Sequence, residues 1–373
     1  MMTCSKIPRF VDQDRTLRIK IIDSCGMTCT FCHNEGTPVT VDNSHNQTGQ
    51  WNGYGKSGRT SIYVKSNGVT FLPSLIMPDE KFKTALRKLQ ERFRFKEVHL
   101  TGGEPTLHPR LPELIKMIKS LGLSVGMTSN GENGVKVIPE AAKEGLHKIN
   151  FSVFGTTSEE LMLVQNKTCR TPKWGDEKIK ALKKAMLCAI QHNVKASVNI
   201  VILDPSHISR VQNLLSDFPP QISIRIMRSL EIRDEATDAL RRLFHQLGAS
   251  LVSHRITAGV SDERYEYELS NRRRVWYKKL RNVRLPETCM TCVFNNDTDC
   301  HEGFYGIRLY KDHRGDFQVG VCIQRMDLCQ RLDQFLESSV AEEIQIFQKN
   351  EYERLKNLYK RSKLQCPLNL KQK

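Results

Sequence analysis

Between residues 78 and 232 the chain alternates short apolar runs with longer stretches whose apolar residues recur every three to four positions. The short runs are KEVHLTGG, LSVGMTSNG, HKINFSVFG, KASVNIVIL and QISIRIMRSL, and TLRIKIID at 16–23 precedes them. PDEKFKTALRKLQERF, LPELIKMIKSLG, VIPEAAKEG, EKIKALKKAMLCAIQHN and SRVQNLLSDF carry the helical period between them. Strand-length runs alternating with helices form βαβ units, whose strands are parallel. About six strands fit before the pattern stops near 232, so the predicted fold class is α/β. In parallel α/β architectures the chemistry collects at the C-terminal ends of the strands. A cysteine loop after TLRIKIID, then TGGEP, TSNG and SVFG, all fall at such ends.

Bulk properties narrow the setting. A chain of 373 residues can bury a substantial core and fits one large domain with an appendage, or two modest ones. With 39% hydrophobic and 26% charged residues the composition is that of a globular protein. The formal charge of +16 fits a Lys-rich surface or an anionic small substrate. No nucleic-acid-binding motif accompanies that charge, so nucleic acid is not expected as a partner. The segment MMTCSKIPRFVDQDRTLRIK has no signal-peptide apolar region, and no run approaches the roughly 18 apolar residues of a membrane span. The expected location is the cytoplasm, where cysteines serve as ligands or catalysts more often than as disulfides.

Twelve cysteines then need a use. Cys4, Cys169, Cys188 and Cys366 are scattered and read as small buried or surface thiols. Cys25, Cys29 and Cys32 stand together in SCGMTCTFCHNEG, while Cys289, Cys292, Cys300, Cys322 and Cys329 form a late group. Three metal chemistries compete for the first group. CTFCH fits the CxxCH of c-type haem attachment, and a close cysteine pair can be half of a zinc site. Three thiolates can also hold an iron–sulfur cluster with one iron left open. Haem attachment suits exported proteins and leaves Cys25 without a role. Zinc wants a fourth ligand nearby, and His33, directly after Cys32, is poorly placed to share its metal.

CGMTCTFC fits CxxxCxxC and is joined by TGGEP after the next strand; together they resemble the signature of the radical S-adenosylmethionine (SAM) superfamily, over about residues 15–232. The resemblance implies a partial (β/α)6 TIM-type barrel with a C-terminal cysteine-rich auxiliary-cluster extension and a helical tail. It implies that Cys25, Cys29 and Cys32 hold a [4Fe–4S] cluster whose open iron takes the amino and carboxylate groups of SAM. Gly102, Gly103, Glu104 and Pro105 would hold the methionine amino group, the glycines allowing close backbone approach and the carboxylate accepting the ammonium. Thr128, Asn130, Ser152 and Asn199 fall where the family places polar contacts to SAM. Within the superfamily the motif order is most similar to the MoaA-type branch, whose archetype is the GTP 3′,8-cyclase. LRIKIIDSCGMTC resembles its LRxSxTDxCNxxC, and VHLTGGEPTLHPRLPELI resembles its RxTGGEPLLRxDLxxLI. That branch carries a second [4Fe–4S] cluster on a CxxC and a distant cysteine. By resemblance these are Cys289, Cys292 and, in GIRLYKDHRGDFQVGVC, Cys322; Cys300 or Cys329 can complete the set, and four thiolates also suit zinc. Arg18 and Arg308 match family arginines and are expected to bind substrate.

Departures from the branch point to another substrate. Where the cyclases carry basic residues two and four places before the Thr of TGGEP, this chain has His99 and Glu97. The family's RIR is GIR here, and NLKQK replaces a Gly-Gly end. Losing fixed cations weakens the grip on a triphosphate. The expected activity is reductive cleavage of SAM to a 5′-deoxyadenosyl radical, with electrons from a flavodoxin- or ferredoxin-type partner. That radical takes a hydrogen from an anionic small molecule, a phosphorylated nucleoside or sugar-type metabolite, in a lyase-type cyclisation or rearrangement. A peptide-modifying maturase is the alternative reading, and a non-enzymatic metal module that binds nucleic acid the remote one. The expected layout is a core at 15–232 with a loop insertion at 37–66, then a basic helical connector over 233–285 that includes RRRVWYKKLRNVR. The auxiliary-cluster region at 286–330 and a helical tail at 331–373 follow. GKS inside the insertion lacks the glycine spacing and the helix of a phosphate loop.

Overall fold

The structure, a computed structural model, describes residues 7–37, 61–63, 67, 75–166 and 171–361. Most of the 37–66 insertion, the GKS within it, and Cys4, Cys169 and Cys366 lie outside the described residues. The chain divides into two compact units, which are not the consecutive segments expected. Arg15–Ala196 with Gly306–Ser338 makes the first; the residues up to Asp14, Ser197–Tyr305 and the segment from Ser339 make the second.

The six strands the pattern predicts are present: β2 (Thr16–Ile22), β3 (Glu97–Gly102), β4 (Ser124–Ser129), β5 (Leu146–Val153), β6 (Lys195–Ile202) and β7 (Ser223–Arg228). Helices α1 (Glu80–Phe93), α2 (Leu111–Ser120), α3 (Gly134–Lys143), α4 (Ser158–Leu163), α5 (Pro172–Gln191) and α6 (Ile208–Asp217) connect them, and α7 (Arg233–Gln246) follows. This is the (β/α)6 order of a partial TIM-type barrel. Each helix follows from local chemistry. Asp79 caps α1 by accepting from Phe82 N, and Phe82, Ala85, Leu86, Leu89 and Phe93 form its buried stripe. Thr171 caps α5 the same way, with Pro172 in the first turn.

In the first unit the strand order is β5-β4-β3-β2, continued by β11 (Arg308–Lys311), β12 (Phe317–Gly320) and β13 (Gln330–Arg331). α8 (Leu332–Leu336) closes this segment. Val98, Leu100, Val125, Met127, Ile149 and Phe151 are fully buried on one face of β3–β5. The other face carries polar side chains in register: Arg18 opposite His99, His99 opposite Gly126, and Gly126 opposite Lys148.

The second unit corrects the connector. Within 233–285 only α7 is helical; β8 (Ser250–Ala258), β9 (Asp262–Glu268) and β10 (Arg274–Leu280) follow it as antiparallel neighbours. RVWYKKL is β10, with Val275 and Tyr277 buried and Arg274, Trp276 and Lys278 on the other face, a period of two that a count of positive charge conceals. β1 (Arg9–Gln13) pairs with β8 in parallel. Leu355, Tyr352 and Tyr359 of α9 (Ser339–Arg361) pack on Val11, Ile256 and Ala258. Among the described residues no helix is long and apolar enough to cross a membrane.

Candidate active site

The loop after β2 is closed at its base by a buried lysine. Lys20 Nζ donates to Asp23 Oδ1 at 2.9 Å, to the Asn34 carbonyl at 3.2 Å and to the Thr37 hydroxyl. Asn34 Nδ2 donates to Asp23 Oδ1 at 2.8 Å. The three cysteines therefore sit on a loop whose two ends are tied together. Cys29 is buried and Cys25 and Cys32 half-buried, against Met27, Leu161, Phe154 and Trp174.

Their sulfurs accept hydrogen bonds. Met27 N lies 3.4 Å and Asn130 Nδ2 3.5 Å from Cys25 Sγ, and Gln165 Nε2 lies 3.4 Å from Cys29 Sγ. Among the described residues no three His, Cys, Asp or Glu side chains converge as tightly as a single metal ion requires. The loop offers soft sulfur donors alone, in an apolar surround with N–H groups aimed at them, and that donor set fits an iron–sulfur cluster.

TGGEP runs directly against this loop. Gly103 N donates to Ile22 O at 2.7 Å and Glu104 N to Ser24 O at 2.7 Å. A Cβ on Gly102 would lie 2.3 Å from Ile22 O, and one on Gly103 2.2 Å from Ser24 O, so only glycine permits the contact. The Glu104 side chain also has partners within the protein. It is buried, and its carboxylate accepts from Thr106 N (3.0 Å), Thr106 Oγ1 (2.7 Å), Ser129 Oγ (2.7 Å) and Asn130 N (2.6 Å). Three of these donors reach Oε1 and only Asn130 N reaches Oε2, so the carboxylate braces TGGEP against TSNG while Oε2 keeps a lone pair for a further donor such as an ammonium. Burial pushes its carboxyl above the ordinary range against the pull of those donors. Pro105 opens the short 3-10 turn that follows.

The other expected SAM contacts lie on strand ends. Thr128 Oγ1 is 2.9 Å from His99 Nε2, and Asn130 Oδ1 accepts from Glu132 N at 2.9 Å. Ser152 shares the half-buried face of β5 with Lys148 and Asn150. In the second unit, the Asn199 side-chain oxygen is buried with no hydrogen-bond partner among the described residues, an acceptor suited to a ligand's N–H or O–H. Sequence reasoning missed Glu132, whose carboxylate accepts from Gly26 N at 2.8 Å and from Lys178 Nζ of α5. Nothing in the sequence links a loop glutamate to a lysine so far along the chain.

The arginines differ in setting. Arg308 Nε donates to Glu35 Oε2 at 3.0 Å, the arginine buried and the glutamate half-buried. Burial alone would raise the Glu35 carboxyl, but Arg308, with His33 and Lys20, holds it below the ordinary range. The charge of Arg308 is thus matched within the protein. Arg18 is half-buried opposite His99.

The late cysteines belong to both units. Cys289, Cys292 and Cys300 lie in the second unit, Cys322 and Cys329 in the first. Cys292 N donates to Cys289 O at 3.2 Å, and Leu285 N to Cys289 Sγ at 3.3 Å. Burial pushes the Cys289 thiol up, with Cys300 and Cys292 adding to the effect. Glu343 of α9 accepts from Glu287 N at 2.6 Å and Thr288 N at 3.1 Å, fixing the turn that opens this group. Burial, then Cys322 and Asp327, push the Cys329 thiol up to about 12.

A half-barrel of βα units with a three-thiol loop at the end of its first parallel strand defines a class. Residues 19–217 match the radical SAM superfamily, and the chain belongs to it. Among curated proteins it is similar to the "Probable GTP 3′,8-cyclase" of Thermoplasma volcanium, 24% identical over 84% of this chain and 81% of that one. The "Probable GTP 3′,8-cyclase" of Thermococcus kodakarensis is 26% identical over 40% of this chain and only 38% of its own length. Human "Molybdenum cofactor biosynthesis protein 1" is 27% identical over 39% of this chain and 18% of its length. The chain is a divergent MoaA-like member at these identities. Among solved structures, Streptococcus suis SuiB bound to S-adenosylmethionine is 15% identical with a TM-score of 0.47, over 96% of this chain and 72% of that one. Membership brings a [4Fe–4S] cluster and SAM as cofactors.

Proposed function

We propose that this radical SAM enzyme acts on an anionic small molecule with fewer charges than a nucleoside triphosphate, a phosphorylated nucleoside or sugar-type metabolite undergoing cyclisation or rearrangement. One observation carries the choice. Glu97, at a position where the cyclases carry a cation, meets Lys148 Nζ from β5 at 2.7 Å, beside His99 on the half-buried face of the strands. Gly126, opposite His99 and Lys148, lacks a Cβ that would crowd both of those side chains, which leaves Lys148 room to reach Glu97. A carboxylate here repels a polyphosphate and offsets the charge of Lys148, which suits one phosphate or carboxylate.

Cys25, Cys29 and Cys32 hold the cluster in this reading, and Gly102, Gly103, Glu104 and Pro105, with Thr128, Asn130 and Ser152, orient SAM. When bound, the cluster and SAM supply a radical able to take a hydrogen from an unactivated C–H. The residues of the chain bind, orient and exclude water, as Met27, Phe154, Leu161 and Trp174 do around the thiols. Cys289, Cys292 and Cys300 of the second unit are assigned to a second [4Fe–4S] cluster. A flavodoxin- or ferredoxin-type protein supplies electrons.

The test uses anaerobically reconstituted protein with dithionite, SAM and a panel of nucleotides, sugar phosphates and peptides. SAM cleavage stimulated by a monophosphorylated compound and not by GTP supports the reading. Stimulation by GTP with formation of its cyclised product overturns it, and stimulation only by a peptide favours a maturase.

A further inference from the structure

Gln165 lies outside the motifs that mark the SAM site, in the turn after α4. Its backbone forms an isolated antiparallel bridge with Cys29. Thr30 N donates to Val164 O at 3.0 Å and Asn166 N to Thr28 O at 2.6 Å, so this turn is laid as a short strand along the cysteine loop. The Gln165 side chain is 7% exposed, and its Oε1 accepts from Thr28 N at 2.7 Å. A backbone N–H only donates, so this bond fixes which end of the amide is oxygen. Nε2 is thereby turned to Cys29 Sγ, 3.4 Å away. An amide nitrogen only donates in turn, so the sulfur must accept, as an anionic thiolate does well. Asn130 repeats the device on Cys25, its oxygen held by Glu132 N at 2.9 Å and its nitrogen 3.5 Å from the sulfur.

N–H dipoles locked onto ligand sulfurs stabilise negative charge on a cluster and favour its reduced form, in a buried site where they act strongly. We infer that Gln165 is a positioning residue that raises the reduction potential of the cluster held by Cys25, Cys29 and Cys32, easing its reduction by the external donor. The inference rests on the assignment of those three cysteines as ligands.

The experiment is a redox titration, followed by electron paramagnetic resonance, of the cluster signal that responds to SAM in reconstituted wild type, Gln165→Glu and Gln165→Met. Gln165→Glu keeps the acceptor for Thr28 N but replaces the donor with a negative charge. It is expected to make reduction at least tenfold less favourable, about 59 mV for one electron. Gln165→Met removes the donor without adding charge and should move the potential the same way by less. Unchanged potentials at full iron content overturn the inference. Loss of iron from both variants also overturns it, leaving Gln165 a brace for the loop alone. A wild type with no SAM-responsive cluster overturns the ligand assignment itself.

Discussion

Glu104→Gln separates two roles for the TGGEP glutamate. With the new amide oxygen in place of Oε1, the bonds from Thr106 N, Thr106 Oγ1 and Ser129 Oγ survive, but an NH2 then faces Asn130 N across 2.6 Å. Turning the amide over instead sets the NH2 against three donors. The cheaper arrangement leaves one buried backbone N–H unmade, at a cost of about 1–3 kcal/mol. Glu104→Ala strands both backbone donors while the two hydroxyls can rotate away, so its cost is about twice that, roughly 2–6 kcal/mol. Urea unfolding measures the loss, and equilibrium dialysis with SAM measures ligand affinity on the same reconstituted samples. A brace predicts lost stability in both variants, with Gln the milder. Unchanged stability in Glu104→Gln together with a steep fall in SAM affinity would refute the brace and leave the carboxylate as the ammonium acceptor alone.

Glu35→Ala leaves Arg308 buried without its carboxylate and should cost about 3–5 kcal/mol in denaturant unfolding. Adding Arg308→Met should recover part of that, and equal loss in the single and double variants would contradict the pairing. Burial alone would raise the Glu263 carboxyl, but His254, Lys279 and Tyr265 hold it down to about 2 from an ordinary 4.5. At about 1.4 kcal/mol per pKa step this is about 3 kcal/mol of stability. Because the folded value is the lower one, that stability is complete above about pH 4.5 and is lost as the pH falls toward 2. Unfolding measured across pH 7 to about 3 should show the decline, and Glu263→Gln should flatten it. Glu343→Ala frees the backbone donors of Glu287 and Thr288, costing about 2 kcal/mol. It should lower total iron per chain while sparing the SAM-responsive signal, and undiminished iron would count against a cluster on Cys289, Cys292 and Cys300.

What the sequence disclosed and what it hid divide along physical lines. β2 to β7 were legible because buried strands and amphipathic helices carry different periods, and the cysteine loop and TGGEP because spacing is itself the chemistry. β8 to β10 were hidden by their charges. Arg274, Lys278 and Lys279 dominate the composition of a segment whose Val275 and Tyr277 decide its structure. The motif marks Glu104 but not its partners, since Ser129 and Asn130 come to it only through the pairing of β3 with β4. Gln165 and Glu132 were illegible for the same reason. Each is an unremarkable polar residue in a turn, and the sulfur or amide it serves lies more than a hundred positions away.

The most direct measurement is iron, acid-labile sulfide and SAM cleavage in reconstituted wild type beside a variant with Cys25, Cys29 and Cys32 all replaced by Ser. Loss of one cluster's iron and sulfide from the variant, with dithionite-dependent SAM cleavage in the wild type only, is the predicted result. Equal iron in both proteins, or no SAM cleavage by a fully loaded wild type, would contradict the assignment of this loop as the catalytic centre.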